Sequence, residues 1–353
     1  MTPNVHIVVL NWNGWRDTIE CLESLFHQDY PDYTVVVCDN GSSDNSLQKI
    51  AEWANGRISA ESSNPQLSHL IAPPHNTPIS SCELTRQQVE SNPCHYGAGL
   101  VLIQNGVNLG FAGGNNVGLR YALANPSCQY CWILNNDTVA GPQTLSAMVR
   151  LMQERPEIGL CGSLNLDYYN PRVVQARGGM TYNRWTGRVR KETPCLVEKV
   201  GSRPTRMDYV NGASMVASRA FLEEVGLMEE SYFLYFEELD WAMRAKGKFT
   251  LGYASESVIY HKEGATTGTN WDRRQRSLLS DRYHSRNRVL FTRRFVPWAL
   301  PTVLMSVCLT AIERLCTGDV RRSLTVMSCM LNGVCGNIPR TAITGAATEK
   351  RGV

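Results

Sequence analysis

VHIVVLNWNG (5–14), YTVVVCDNGS (33–42), GLVLIQNGVN (99–108) and YCWILNND (130–137) are the four stretches whose reading decides the fold. Each is a run of Val, Ile and Leu with almost no polar interruption, and each ends in Asn, Asp or Gly. Runs without alternation suit strands covered on both faces, as in a parallel sheet. The segments between them read as helices. In WRDTIECLESLFHQ, Trp15, Ile19, Leu22 and Phe26 recur at helical spacing. In SSDNSLQKIAEWAN, Leu47, Ile50, Ala51 and Ala54 do the same, and Ser42 or Ser43 is the expected N-cap. A Gly/Asn-rich turn is expected to lead into the helix VGLRYALA, and GPQTLSAMVRLMQE carries Pro142 near its first turn. Strand–helix repetition of this kind implies an α/β fold, with a mostly parallel sheet, right-handed crossovers and flanking helices.

Outward from this half the rhythm changes. Residues 57–98 are rich in Ser, Asn, Pro and His and read as an irregular surface insertion. From 158 onward, IGLCGSLN, QARGGMTYNRWTGRV and YVNGASMVAS suggest strands of a mixed sheet. A helix follows near FEELDWAMRAKG, and then a strand pair, FTLGYA and SVIYHKEG. Between Asp272 and Arg294 there are eight arginines (273, 274, 276, 282, 286, 288, 293, 294) against Asp272 and Asp281. The apolar stretch 296–312 comes next, with Pro297 and Pro301, and is slightly short of the roughly 20 residues a spanning helix needs. Basic then apolar reads as a helix lying on an anionic bilayer surface; the alternatives are a buried terminal helix with a solvated basic face and a true span. The division expected is a domain over 1–270 and a basic, amphipathic helical extension over 271–353.

A net charge of +3 over 353 residues gives no reason to expect nucleic acid as a partner. The twelve cysteines include one C-x-x-C, Cys128 to Cys131, without a second pair at zinc spacing. Most others lie inside apolar runs, as buried free thiols do. No basic n-region followed by an apolar h-region opens the chain, so the expected setting is reducing and cytoplasmic, at the inner face of the cell membrane.

Ligands of open α/β sheets sit at the carboxyl ends of the strands. All four ends here are polar: Asn11 and Asn13, Asp39, Asn108 with Gly114 and Asn116 just beyond, and Asn135-Asn136-Asp137. One such end is a turn; four make a binding edge. Asp39 could accept from a base or a ribose, and the glycines could bring backbone N–H groups near a ligand. GVNLGFAGGNNVG is not G-x-G-x-x-G, and no P-loop occurs. Asp137 suits a hard cation such as Mg²⁺, which takes one or two carboxylates plus substrate phosphates, or else it caps the next helix. Glu237, Glu238 and Asp240 open a helix, where acids are favoured by its dipole; one of them could instead be a general base. His261 ends a strand in VIYHKEG.

Taken together and in order, VVLNWNGWRDTIECLESL, VVVCDNGSSDNS, NLGFAGGNNVGLRYAL, WILNNDTV, YVNGASMVASRAFLEEVGLMEESYFLYFEELDWAMRAKG, VIYHKEGATTG and SRNRVLFTRR resemble the family 2 glycosyltransferases, especially their rhamnosyltransferase-like branch. The likeness spans most of residues 5 to 294. It implies a GT-A fold and inversion at the sugar carbon. It also implies a nucleotide diphosphate sugar donor, dTDP- or UDP-linked, contacting Asn11, Asn13, Asp39, Asn108, Gly114, Asn116, Asn135 and Asn136. The family's D-x-D falls on Asn135-Asn136-Asp137, with Asn in first place, so Asp137 would hold Mg²⁺ or Mn²⁺, assisted by His261. Its E-D motif falls on Glu237-Glu238, with Glu for Asp; Glu238 would be the base and Asp240 the reserve candidate. The acceptor implied is a glycan or lipid-linked glycan in cell-surface polysaccharide synthesis. Rival readings are a nucleotidyltransferase, whose Gly-rich basic loop LNWNGWRD does not resemble, and a non-catalytic nucleotide-sugar-binding scaffold.

Overall fold

A computed structural model describes residues 2–91, 97–190, 195–199, 206–263 and 277–336. The first half runs β1 (Asn4–Asn11), α1 (Trp15–Leu25), β2 (Tyr33–Asp39), α2 (Ser46–Ala54), β3 (Ser81–Thr85), α3 (Arg86–Ser91), β4 (Leu100–Gln104), α4 (Gly110–Ala124) and β5 (Cys128–Asn135). Strands β3-β4-β2-β1-β5 lie side by side and all pair in parallel. Their central residues, such as Val35 to Val37 and Ile7 to Val9, are fully buried, which is why the sequence shows no alternation there.

The second half adds β6 (Thr138–Ala140), α5 (Thr144–Glu154), β7 (Ile158–Asp167), β8 (Val173–Arg177), β9 (Gly179–Asn183), β10 (Arg188–Arg190), β11 (Cys195–Leu196), β12 (Tyr209–Val210), β13 (Ser214–Ser218), α6 (Arg219–Val225), α7 (Glu237–Ala245) and β14 (Thr250–His261). Here β13 runs antiparallel to both β5 and β7, which joins the two halves into one mixed sheet. A helical extension follows: α8 (Leu278–Phe295), α9 (Leu300–Cys316) and α10 (Val320–Cys335). Val289, Val307, Ala311, Val326 and Met330 give this extension an apolar cluster of its own.

Several expectations are corrected. The stretch 57–98 is not wholly irregular: β3 pairs in parallel with β4 at the sheet edge, and α3 follows it. The glycine-rich run before 117 is not a turn but the first turns of α4. Its glycines are there for contact: a Cβ on Gly114 would lie 2.4 Å from Leu10 Cδ1, and one on Gly118 2.5 Å from Val8 Cγ1. The N-cap of α2 is Asn45 in the left-handed region, because the Ser42 hydroxyl is already committed to Asp39. FTLGYA and SVIYHKEG form the single strand β14, whose pairing to β7 shifts register between Ala254 and Val258.

Four of the described arginines are engaged with the fold, although Arg293 and Arg294 stay exposed. Arg286 donates to the Ser231 carbonyl, Arg288 to Ser306 Oγ, Arg293 to the Gly333 carbonyl, and Arg294 pairs with Asp240 and Glu229. Arg273, Arg274 and Arg276 lie outside the described residues. What α9 and α10 do expose is apolar: Met305, Leu309, Ile312, Leu315, Leu324 and Leu331 are each more than half exposed. By length and composition alone, Pro297–Cys316 is long and apolar enough to cross a membrane.

The far end of β14 is tied to α1 by a buried charge. Lys262 Nζ donates to Asp17 Oδ1 and Glu20 Oε2, both at 2.6 Å, and lies 4.6 Å from the centre of the Tyr168 ring. Tyr168 in turn donates to Glu20 Oε1 at 2.6 Å. Burial pulls the Lys262 pKa down, but the two carboxylates outweigh it and hold the ammonium charged. Removing one partner of such a group leaves a charge stranded. Lys262→Met is therefore expected to cost about 3–5 kcal/mol, read as a lower urea midpoint at unchanged slope, and adding Glu20→Gln to it should recover part of the loss.

Candidate active site

A cavity of about 300 Å³ opens at the carboxyl edge of the parallel strands. Of the residues expected around a ligand, Asn108, Asn135, Asn136, Asp137, Glu238 and His261 line it. Asn11, Asn13, Asp39, Gly114, Asn116 and Asp240 do not. Each of these six is used inside the fold. Asn11 Nδ2 donates to Asp39 Oδ1 at 2.6 Å and to Ser42 Oγ at 3.1 Å, and its Oδ1 accepts from Thr18 Oγ1. Asn13 Oδ1 accepts from the Ser43 N–H at 2.7 Å. Asn116 joins α4 to the loop before α7 through the Met228 carbonyl and N–H and Glu230. These bonds bind the strand ends to one another, and the neighbouring residues face outward instead. The cavity takes Trp12 rather than Asn11 or Asn13, Asn40 rather than Asp39, and Gly110 rather than Gly114. Thr18 also accepts from Asn136 Nδ2 at 2.9 Å, so the β1 and β5 ends share one hydrogen-bond cluster.

At the end of β5, Asp137 Oδ1 lies 3.3 Å from His261 Nε2 at the end of β14. Gln175 sets the imidazole. Its Nε2 donates to Asp167 Oδ2 at 3.1 Å and to the His261 carbonyl at 3.0 Å. That orientation turns Gln175 Oε1 toward His261 Nδ1, 3.2 Å away, so Nδ1 carries the proton. His261 Nε2 and Asp137 Oδ1 are then two acceptors facing each other, an arrangement that calls for a cation between them: a proton or a metal. With a proton in that place, burial pushes the Asp137 pKa up, but the charge and hydrogen bond of the His261 imidazolium, with Lys262 behind, outweigh it and hold the carboxyl below its ordinary value. Two protein donors, one of them a carboxylate, fit Mg²⁺ or Mn²⁺, whose remaining positions go to substrate phosphates and water.

Glu237 and Glu238 stand together at the start of α7, and their surroundings separate them. Glu237 is buried; burial and the charge of Glu238 keep it protonated well above the usual carboxylate range. Glu238 is half-buried and burial pushes it up to about 7. Gly212 makes its space: a Cβ there would sit 2.1 Å from Glu238 Oε1. Asp240, the reserve base, does not line the cavity and is held by three partners. It is fully buried and accepts from Arg244 Nε at 2.7 Å, Arg294 Nη1 at 2.9 Å and Tyr232 Oη at 3.1 Å. Its work is to fasten α7 to α8.

The loop that delivers Glu238 is strained. Phe233, Tyr235 and Phe236 have φ of 65°, 68° and 81°, a region unfavourable for bulky side chains. Asn287 of α8 compensates: its Nδ2 lies within 3.0 Å of the carbonyls of Tyr232, Leu234 and Tyr235. His284 stacks on Tyr235 at 4.1 Å and Tyr283 on Phe233 at 5.0 Å. Sequence reading missed Asn287, Gln175 and Trp12. All three stood in stretches already singled out, VHIVVLNWNG, QARGGMTYNRWTGRV and SRNRVLFTRR, but what Gln175 and Asn287 act on lies far from them in sequence.

Residues 6–76 match the model for "Glycosyl transferase family 2". The low-salt glycan biosynthesis hexosyltransferase Agl10 of Haloferax volcanii is 28% identical over 178 residues, 47% of this chain and 50% of that protein. The N-acetylglucosaminyl-diphospho-decaprenol L-rhamnosyltransferase of Mycobacterium tuberculosis is 27% identical over 154 residues, 38% of this chain and 48% of that protein. The chain thus spans about half the length of the curated relatives it matches. A mannosyltransferase of Pyrobaculum calidifontis, solved with GDP-Man and Mn²⁺, superposes with a TM-score of 0.52 at 16% identity, covering 95% of this chain and 88% of that one. This likeness shows the fold, which is GT-A.

Two outcomes are expected at this site. If Glu238 is the base, kcat/KM climbs as pH rises through about 7, because burial raises its pKa and only the ionised form accepts a proton; Glu238→Gln should lose about 10²–10⁴-fold in rate while nucleotide binding, followed by calorimetry, is kept. Asn287→Ala should lower stability by about 1–3 kcal/mol and reduce turnover more than it changes donor affinity, since the strained loop is then free to relax.

Proposed function

From a chain related to the family 2 glycosyltransferases and built on the GT-A fold, we propose an inverting, metal-dependent transfer of a sugar from a nucleotide diphosphate donor to a glycan or lipid-linked glycan. One observation carries the reading: the Asp137–His261 pair, 3.3 Å apart, and Glu238, a carboxyl that burial pushes up to about 7, open into the same cavity. The donor we favour is dTDP-L-rhamnose, on the motif wording and on the rhamnosyltransferase named among the relatives. A UDP-linked hexose is the second reading, supported by the hexosyltransferase among them.

Glu238 takes the proton of the acceptor hydroxyl as that oxygen attacks the anomeric carbon. Trp12 and Asn40 offer a stacking face and an amide at the nucleotide end, and Asn135 and Asn136 lie beside Asp137. Asp137 and His261 would hold the divalent ion, which, when bound, supplies Lewis-acid stabilisation to the departing diphosphate. In this reading residues 1–270 make up the catalytic unit. The helices of 271–353 brace the Glu238 loop and turn the exposed apolar side chains of α9 and α10 to the cytoplasmic face of the membrane, where a lipid-linked acceptor resides.

The test is release of nucleoside diphosphate from a panel of dTDP-rhamnose, UDP-glucose, UDP-N-acetylglucosamine and GDP-mannose, with and without Mn²⁺ or Mg²⁺. Release from one donor that needs the metal, and that Asp137→Ala lowers by about 10²-fold or more, supports the enzyme and names its sugar. Silence across the panel with membrane extract as acceptor source points to the nucleotide-sugar-binding scaffold.

A further inference from the structure

The C-x-x-C of the sequence has no part in the transferase reading, yet the fold gives it a definite geometry. Cys128 opens β5 and Cys131 lies three residues on. In a regular strand such residues project to opposite faces. Here the register of β5 against β1 shifts: Asn4 pairs with Cys128 and Val5 with Tyr130, so Gln129 is an extra residue. Gln129 is exposed, and the bulge it makes turns both thiols to one side, with their Sγ atoms 3.8 Å apart. Among the described residues no three His, Cys, Asp or Glu side chains gather to hold a metal ion, so the two sulfurs are not part of a metal site there.

The surroundings tell the two thiols apart. Arg219 Nη1 donates to the Cys128 carbonyl at 3.2 Å and to that of Asn125 at 2.8 Å, which brings a guanidinium to the start of the strand. His6 stands opposite Cys131 in the β1 register. The Cys131 S–H, with His6 and the Arg219 charge, holds the Cys128 thiol below its ordinary value against burial, and the same bond and burial push Cys131 up. Cys38 and Cys161, packed singly in apolar strands, are instead pushed by burial up to about 12. Both sulfurs of the pair are buried, but Pro126, Ser127 and Gln129 on either side of Cys128 are exposed, which puts the pair just under the surface at a strand end. Such ends open locally more readily than strand centres, and they admit a small oxidant before a bulky one.

We propose that Cys128 and Cys131 are a reversible redox site, which hydrogen peroxide closes to a disulfide. The Cys128 thiolate attacks one peroxide oxygen and breaks the O–O bond, leaving a sulfenic acid at Cys128 and releasing hydroxide, which the Cys128 proton converts to water. The Cys131 sulfur then attacks Cys128 Sγ. The S–O bond breaks, and the departing hydroxyl takes the Cys131 proton and leaves as a second water. Two thiols are thus oxidised by two electrons while one peroxide is reduced to two waters. The sulfurs close from 3.8 Å to the disulfide length of about 2.05 Å, and a small dithiol reverses the change by exchange. The pair lies at the end of β5 away from Asn135, and its chemistry is independent of the transferase reading.

The test treats the full, reduced chain with rising hydrogen peroxide, then denatures it, alkylates it with N-ethylmaleimide and cuts it with trypsin. Cleavage after Arg120 and Arg150 leaves both cysteines, and no other, in the peptide 121–150. That peptide should escape alkylation and weigh two hydrogens less than its dithiol form, at a peroxide dose at least about tenfold below the one that blocks the exposed Cys316. Dithiothreitol before alkylation should restore both thiols. In Cys131→Ser, Cys128 should stop at a sulfenic acid that dimedone traps; in Cys128→Ser, Cys131 should remain a thiol at the same dose. Alkylation of both sulfurs at a dose that already consumes Cys316 would overturn the proposal, as would a disulfide joining Cys128 to any cysteine other than Cys131. Oxidation of Cys131 in Cys128→Ser as fast as that of Cys128 in Cys131→Ser would overturn the roles given to the two sulfurs. The wild-type peptide decides the case even where a serine variant does not fold.

Discussion

The side-chain amide of Asn287 holds three backbone carbonyls, and the rest of the site depends on that grip. Three aromatic residues in the left-handed region cost on the order of 1–3 kcal/mol each, more than a surface loop could sustain. The strain persists because α8 supplies hydrogen bonds and two ring stacks in return. It has a use. Turning the chain sharply at 233–236 starts α7 with Glu237 and Glu238 at the cavity wall and sends Asp240 to the opposite side, into Arg244 and Arg294. A relaxed loop would begin the helix elsewhere and move the carboxylates with it. The C-terminal helices are therefore not an accessory to the large sheet: they determine where its candidate base sits.

The opposite wall is held by a different device. Beyond its ladder bonds, the end of β14 is fastened by Lys262, whose ammonium bridges to α1. His261 precedes it by one residue and so faces the other way, toward Asp137. One buried charge thus presses strand against helix on one side and presents an imidazole on the other. Gln175 completes the arrangement by selecting the tautomer. Buried acceptors seldom face one another without a donor or cation between them, and a proton shared by His261 and Asp137 meets that need as well as a metal ion does.

Much of this was legible in the sequence because it depended on local regularities. The four unbroken apolar runs could only be strands covered on both faces, and the polar residues after them could only stand at one edge. Which of those residues faced outward was not legible. Asn11 and Asp39 occupy the strand ends where a ligand-binding residue is expected, yet they bond to each other across parallel strands, 28 positions apart in sequence. The pairing depends on register, and register is a property of the assembled sheet. The glycine run of 110–118 misled for a related reason: Gly favours turns in isolation, but here its missing side chain lets α4 lie directly on Leu10 and Val8. The arginines of 282–294 read as surface charge because composition carries no information about partners, and Arg286, Arg288, Arg293 and Arg294 find carbonyls, a hydroxyl and carboxylates elsewhere in the chain.

Adjacent glutamates in one helical turn would ordinarily titrate alike. What separates them is depth. Glu237 is almost wholly buried, so burial and the neighbouring Glu238 keep it a neutral acid, and its neutrality spares Glu238 a like charge at close range. Glu238, in the space that Gly212 leaves, is burdened by burial alone and comes to rest near neutrality, where a base can both exist ionised and bind a proton usefully. Aspartate at 238 would reach less far into that space, and a side chain at 212 would close it. The longer carboxylate and the absent Cβ are two halves of one fit, which is why a departure from the family's motif at 238 is consistent with a working base.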